Sequence, residues 1–242
     1  MTSLLVSHRL HARFGARVAE AVARDGIPAE MIVLPVDPAA RLTDAECARV
    51  QTAFFSSDVF PDFSRQFFST VRKAPQLKWL HVFNAGVDHP IYTEMLERGV
   101  RLTTSSGSAS VAIAQTAIAG LLALARGFPH WLAAQRRREW TPLRGEALPH
   151  DLAGQTVVIL GLGKIGTEIA RLARALGLTV IGVRHTPRKP DDPVDELHPP
   201  VALGGLAARA HWLVIACPLT PETRGLVDAA LIAQLPKGAR VI

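Results

Sequence analysis

Cysteine is nearly missing. Cys47 and Cys217 are the only two in 242 residues, and they stand far apart. That excludes a disulfide framework and a cysteine metal knuckle, and it leads us to expect a reducing, cytoplasmic setting. His8 and His11 are three apart, but no third ligand follows at metal spacing, so no metal site is expected. Aromatic residues are 6% of the chain, with one tyrosine, and they do not interleave with the basic residues. The formal charge of +6 therefore suggests an arginine-rich protein that handles small anions, with no nucleic-acid partner. The compact basic run, Arg136 to Glu139, sits in a helical context. Long hydrophobic runs are also missing. The longest, Val111 to Ala125, is interrupted by Gln115 and Thr116. It falls short of the ~20 residues a membrane span needs. The opening "MTSLLVSHRL" has no long apolar stretch followed by a cleavage pattern, so neither membrane nor signal peptide is expected.

What is present is apolar material and alternation. Hydrophobic residues make up 48% of the chain, enough for one or two cores. Strand-like and helix-like stretches alternate from Leu4 through "EMIVLPV", "AFFSS", "LKWLHVF" and "RLTT". This predicts an α/β fold with a parallel, doubly wound sheet. A long helical region, about Val111 to Trp140, is broken or kinked at Gly127-Phe128-Pro129. A second alternation begins at Thr156. It contains four expected strands, "TVVIL", "LTVIGV", "HWLVIA" and "ARVI", with a loop over about Thr186 to Pro200. The expected domains are residues 1–105 and 106–242.

The second unit carries Gly161-Leu162-Gly163-Lys164-Ile165-Gly166. A bare G-x-G-x-x-G is weak, but here an apolar strand precedes it, and an amphipathic helix and a second apolar strand follow. Gly161 permits the turn, Gly163 leaves room for a pyrophosphate, and Gly166 lets helix and strand pack closely. The helix N-terminus offers free N–H groups and partial positive charge. Where an NAD site places Asp or Glu, this chain has Arg184, followed by His185, Thr186 and Arg188. A guanidinium there suits a 2′-phosphate; otherwise Arg184 is a solvated loop residue and the site is unselective. The pattern favours NADP(H) over NAD(H).

Four stretches in order, Leu77–Pro90, Leu102–Arg126, the glycine fingerprint, and Cys217–Ile242, resemble the D-isomer-specific 2-hydroxyacid dehydrogenase family, in particular its glyoxylate/hydroxypyruvate reductase-like members. The resemblance implies a flavodoxin-like substrate domain and a Rossmann NAD(P)-binding domain, the latter incomplete here. It implies hydride transfer between NADP(H) and a small 2-keto or 2-hydroxy acid. It also implies that Asn84, Ala85, Gly86, Val87 and Asp88 form the loop whose N–H groups hold the substrate carboxylate. Lys164 and Ile165 would meet the pyrophosphate, Arg184 the ribose, and Cys217, Pro218 and Thr223 the adenosine side. A homodimer through the cofactor domain would bury the helix from Val111 and the stretch ending at Trp140.

The family's Arg, Glu or Asp, and His that bind the keto acid and move the proton lie beyond Ile242. No catalytic residue is therefore expected in this chain, and it is expected to be a fragment, inactive alone. Among its nine histidines, His89 and His150 lack a carboxylate partner in sequence, and His211 opens a strand as a structural residue. A six-strand dinucleotide fold also exceeds the four strands expected here. The alternative is a non-catalytic dinucleotide-binding, corepressor-like module.

Overall fold

The computed structural model describes residues 2–26, 28–87 and 89–242. The chain divides into two compact units, Met1–Ser106 and Gly107–Ile242.

The first unit runs β1 (Thr2–Val6), α1 (His8–Arg24), β2 (Ala29–Val33), α2 (Asp44–Arg49), β3 (Thr52–Phe55), α3 (Ser64–Arg72), β4 (Trp79–Val82), α4 (Pro90–Glu97) and β5 (Arg101–Thr104). Its five strands are all parallel, in the order β2-β1-β3-β4-β5. That is the flavodoxin-like order. Local chemistry sets the helix starts. The Ser7 hydroxyl accepts the Leu10 N–H at 2.9 Å to begin α1. Thr43 and Glu46 form a capping box on α2. Phe67 and Val71 on α3, and Ile91 and Met95 on α4, recur at i, i+4 and are buried against Leu80 and Phe55. Gln66, fully buried, donates from Nε2 to the Ala40 carbonyl at 2.8 Å and so pins the preceding loop to α3.

The second unit runs α5 (Ser110–Ala125), α6 (Phe128–Arg137), β6 (Thr156–Leu160), α7 (Lys164–Ala175), β7 (Thr179–Val183), β8 (Glu196–His198), α8 (Leu203–Ala207), β9 (Trp212–Ile215), α9 (Ala229–Ala233) and β10 (Arg240–Val241). Gly127, at φ 74°, separates α5 from α6, and the two meet at 68°. No single helix among the described residues is long and apolar enough to cross a membrane. The sheet order is β10-β9-β6-β7-β8, again all parallel. Central strand β6 is buried on both faces. Val157 and Ile159 face a core built with α5 and α7, while Val158 and Leu160 face one built with α8 and α9. Small residues, Ala114, Ala170 and Ala173, let α5 and α7 approach closely.

One expectation needs correcting. The second sheet has five strands, not four: β8 lies inside the stretch read as a loop. Its three residues carry one apolar side chain, Leu197, between Glu196 and His198, so no alternation betrays it. Helix α2 was also unread. Its signal was the Thr43-x-x-Glu46 box, but six residues give no apolar period to support it.

The edge strand β8 is held by charge. Glu196 pairs with Arg209 (2.5 Å) and with His198 (2.9 Å). The Arg209 and His198 hydrogen bonds lower the Glu196 carboxyl from an ordinary 4.5 to about 2. A depressed carboxylate contributes stability that is present above its unfolded value and lost as pH falls toward its folded value. Glu196→Gln should therefore lower urea stability near neutral pH by at most about 1 kcal/mol, because the group is partly exposed. The difference should shrink as pH falls from 4.5 toward about 2. Urea midpoints measured across pH would sink this account if the gap between variant and parent stayed constant.

Candidate functional site

Both units are parallel sheets, and each places its candidate residues where chains leave the carboxyl ends of strands. In the second unit β6 delivers Gly161 and β9 delivers Cys217. These neighbouring strands run to helices in opposite directions, which is the topological switch point of the sheet. Gly161 turns at φ 98°. A Cβ there would stand 2.6 Å from the Cys217 nitrogen and 2.8 Å from its Cα. A Cβ on Gly166 would collide with the Gly161 carbonyl oxygen. Both glycines are therefore required by backbone packing.

Gly163 is different. A Cβ on it meets nothing within 4 Å, and its φ of −77° suits any residue. It begins α7 with no side-chain cap. The first helical bond runs from Thr167 N–H to the Gly163 carbonyl, 2.9 Å. The N–H groups of Lys164, Ile165 and Gly166 are taken by no described residue. Free donors, the positive end of a twelve-residue helix and an open space at Gly163 fit a dinucleotide pyrophosphate.

A cleft of about 630 Å³ opens there. Gly161 and Gly163 floor it, Arg184, His185 and Thr186 form one side, and Cys217, Pro218 and Thr223 form the other. The structure thus brings together these eight of the residues singled out from the sequence, with Lys164 and Ile165 at the adjoining helix start. Thr223 serves its own loop: its hydroxyl donates to the Pro218 carbonyl at 2.6 Å and accepts the Thr220 N–H at 2.7 Å. Burial pushes the Cys217 thiol up, which favours its neutral form.

The basic residues are placed otherwise than their chemistry alone suggests. Arg184 is paired with Asp192 through both carboxylate oxygens, 2.8 and 2.5 Å. Arg188 lies outside the cleft lining and donates to the Val194 and Asp195 carbonyls at 2.7 and 3.3 Å. Sequence reading missed Asp192, although "PDDP" eight residues past Arg184 supplies an acid to a loop of matching size. It also missed Glu222 on the opposite wall, which the Thr220 hydrogen bond holds below its ordinary value and on which the His185 charge acts.

In the first unit the loop after β4 carries Asn84, Ala85, Gly86 and Val87; Asp88 lies outside the described residues. The Asn84 side-chain amide donates to the Gly86 carbonyl, and the Tyr92 hydroxyl donates to Asn84 Oδ1 at 3.3 Å. The loop is thereby tied down at its root. Ala85, Gly86 and Val87 are exposed, and none of their N–H groups donates to a described residue. Exposed, unpaired amides on small residues can hold a carboxylate. Two histidines are structural. His89 Nδ1 accepts the Ile91 N–H at 3.2 Å to cap α4, and His211 Nδ1 accepts the Thr156 N–H at 3.0 Å.

Comparison with known proteins gives a consistent picture. The family model described as "D-isomer specific 2-hydroxyacid dehydrogenase, NAD binding domain" matches residues 118–242. The D-3-phosphoglycerate dehydrogenase of Methanocaldococcus jannaschii is 28% identical over 71% of this chain and 32% of its own length. The mouse glyoxylate reductase/hydroxypyruvate reductase is 30% identical over 67% of this chain and 50% of its own. The chain thus spans a third to a half of these two relatives. The crystal structure of a D-isomer specific 2-hydroxyacid dehydrogenase from Xanthobacter autotrophicus, in complex with NADPH and MES, superposes with a TM-score of 0.68 at 25% identity, covering 99% of this chain and 70% of that one.

Gly163 and Gly166 of the fingerprint should separate on substitution. Gly166→Ala should destabilise the fold by roughly 1–3 kcal/mol through backbone overpacking. Gly163→Ala should change stability by less than about 0.5 kcal/mol. It should instead weaken nucleotide binding by roughly tenfold, about 1.4 kcal/mol. Urea denaturation and calorimetric titration on the same two variants check this; a Gly163→Ala protein that binds as well as its parent contradicts the pyrophosphate assignment.

Proposed function

Because the chain belongs to the D-isomer specific 2-hydroxyacid dehydrogenase family, we propose that it forms the nucleotide-binding and carboxylate-binding parts of an oxidoreductase acting on a small 2-keto or 2-hydroxy acid. The observation that carries the proposal is the uncapped start of α7 at Gly163, opening on a cleft at the switch point of the second sheet. The nicotinamide nucleotide, when bound, supplies or accepts the hydride. This chain's own residues bind and orient. The α7 amides take the pyrophosphate, His185 and Thr186 lie on the ribose side, and the amides of Ala85, Gly86 and Val87 take the acid's carboxylate.

We favour NADP(H) over NAD(H) on charge. Asp192, the acid eight residues past Arg184, is neutralised by Arg184, and the end of β7 carries no Asp or Glu in the place where a carboxylate would repel a 2′-phosphate. His185, exposed and lining the cleft, stands on that side. The NADPH complex of the Xanthobacter protein agrees in kind with this reading. Glyoxylate or hydroxypyruvate is the substrate we favour, following the mouse relative. A homodimer through the second unit is supported by an exposed apolar surface on and beyond α5 and α6: Val111, Ile113, Phe128, Leu132 and Trp140, the last 90% exposed. The two free cysteines fit a cytoplasmic setting.

Two measurements test the proposal. Calorimetric titration of the 242-residue chain should give a dissociation constant for NADPH at least roughly tenfold below that for NADH. Tighter binding of NADH would reverse the cofactor preference. The same chain should bind NADPH without saturable oxidation by glyoxylate or hydroxypyruvate, since no described histidine of the loop after β4 is free to serve as proton donor: His89 is engaged as a helix cap. Saturable turnover would show that a proton donor is present after all.

A further inference from the structure

Arg184 stands where β7 meets the cleft, at the position where sequence alone suggests a ligand for the ribose phosphate. Its guanidinium faces inward instead. The side chain is 9% exposed and its partner Asp192 is 5% exposed. Nη1 and Nη2 each donate to one Asp192 oxygen, at 2.8 and 2.5 Å. Nε donates to the Thr186 carbonyl at 3.0 Å, and Nη2 donates again to the Pro187 carbonyl at 2.5 Å. Four of the five guanidinium hydrogens are thereby engaged. Asp192 is engaged as well, accepting the Lys189 N–H at 2.7 Å on the oxygen that also meets Nη2.

The result is a closed ring. The backbone leaves β7 at Arg184, passes His185 to Lys189, and returns to Asp192, with the ion pair at its centre. Every bond that the Arg184 guanidinium makes is to this segment. His185 and Thr186 ride on the outside of the ring, are exposed, and line the cleft. A bidentate, buried guanidinium–carboxylate pair is a geometric device: it fixes a planar arrangement, and breaking one side leaves a desolvated charge behind. For Arg184 to reach a phosphate it would have to abandon Asp192 in exactly that condition.

We infer that Arg184 and Asp192 are a positioning pair that shapes the loop, and that His185, held by that loop, is the residue that distinguishes a phosphorylated from an unphosphorylated ribose. The inference rests on the nucleotide-binding reading of the cleft given above. It reverses the assignment that the residue types suggest: the strongest cation at the site is a scaffold, and the weaker, exposed one does the reading.

The test measures dissociation constants for NADPH and NADH, by calorimetry, on the full chain and three variants, and takes their ratio. The charge exchange Arg184→Asp with Asp192→Arg keeps a pair within the ring. It should leave the NADPH-to-NADH ratio within about threefold of the parent. His185→Ala should lower the preference for NADPH by roughly tenfold, with NADH binding within about threefold of the parent. If the exchange instead abolishes NADPH preference while NADH binding holds or improves, Arg184 is a direct ligand and the inference is overturned. If the exchanged protein does not fold, as judged by circular dichroism, Asp192→Asn decides. A positioning pair predicts that both constants rise together; selective strengthening of NADPH, as from a liberated guanidinium, overturns it. Failure of the unaltered chain to bind either nucleotide would instead refute the proposed function, and it is read before any variant.

Discussion

The second unit depends on one close approach. At the end of β6 the backbone of Gly161 lies against the backbone of Cys217 on one side and receives α7 at Gly166 on the other. Three chain segments meet with no side chain between them. A single methyl at 161 or 166 would push them apart. Gly182 on β7 leaves room for the Leu162 side chain of the turn, which a Cβ there would meet. The turn is thus wedged between strands β7 and β9 and the helix. Its geometry follows from what surrounds it, and the start of α7 is aimed at the cleft as a consequence. Hydrophobic burial of Val157, Ile159, Ala170 and Ala173 fastens the helix and strand that carry this contact.

Net charge is a poor guide to the field that a ligand meets here. The chain is basic overall, yet several arginines of the second unit are engaged. Arg184 is matched by Asp192, Arg209 by Glu196, and Arg188 is directed at backbone carbonyls. Arg174 approaches Asp195 at 3.6 Å. These pairs hold a long loop and a three-residue edge strand that have few apolar side chains of their own. The charges that the composition suggests for anion binding are in large part structural. The proposed anion binding draws instead on backbone N–H groups and the start of a helix, which a composition count does not register.

The sequence was most legible where apolar periodicity and glycine placement act together. Strands β6, β7 and β9, helix α7 and the 161–166 turn were all readable, because burial on both faces demands continuous apolar strands and the turn demands glycine. The break between α5 and α6 was readable for a related reason: Gly127 adopts a positive φ and Pro129 follows it. Legibility failed where structure rests on polar pairs between distant residues. Strand β8 is held by Glu196 to Arg209, thirteen positions away, and Arg184 is turned inward by Asp192, eight positions away. Nothing in residue type states that a particular arginine is already satisfied. Side-chain roles at the site were therefore less readable than its location.

The two candidate sites use the same currency, the unpaired backbone N–H, in different ways. At α7 the helix start carries no cap, so three successive donors and the helix dipole act in concert, which suits the doubly charged pyrophosphate. At α4, next to the carboxylate loop, the opposite holds. Pro90 has no N–H to give, the Ile91 N–H is taken by the His89 ring, and the Tyr92 N–H by the His89 carbonyl. That helix start is silenced. What remains for an acid is the short run Ala85 to Val87, whose root is fixed by Asn84 and Tyr92. A few loop amides without a helix behind them suit one small carboxylate and offer little to a polyphosphate. Under the proposed function, capping one helix and leaving the other open gives the two places different donor sets.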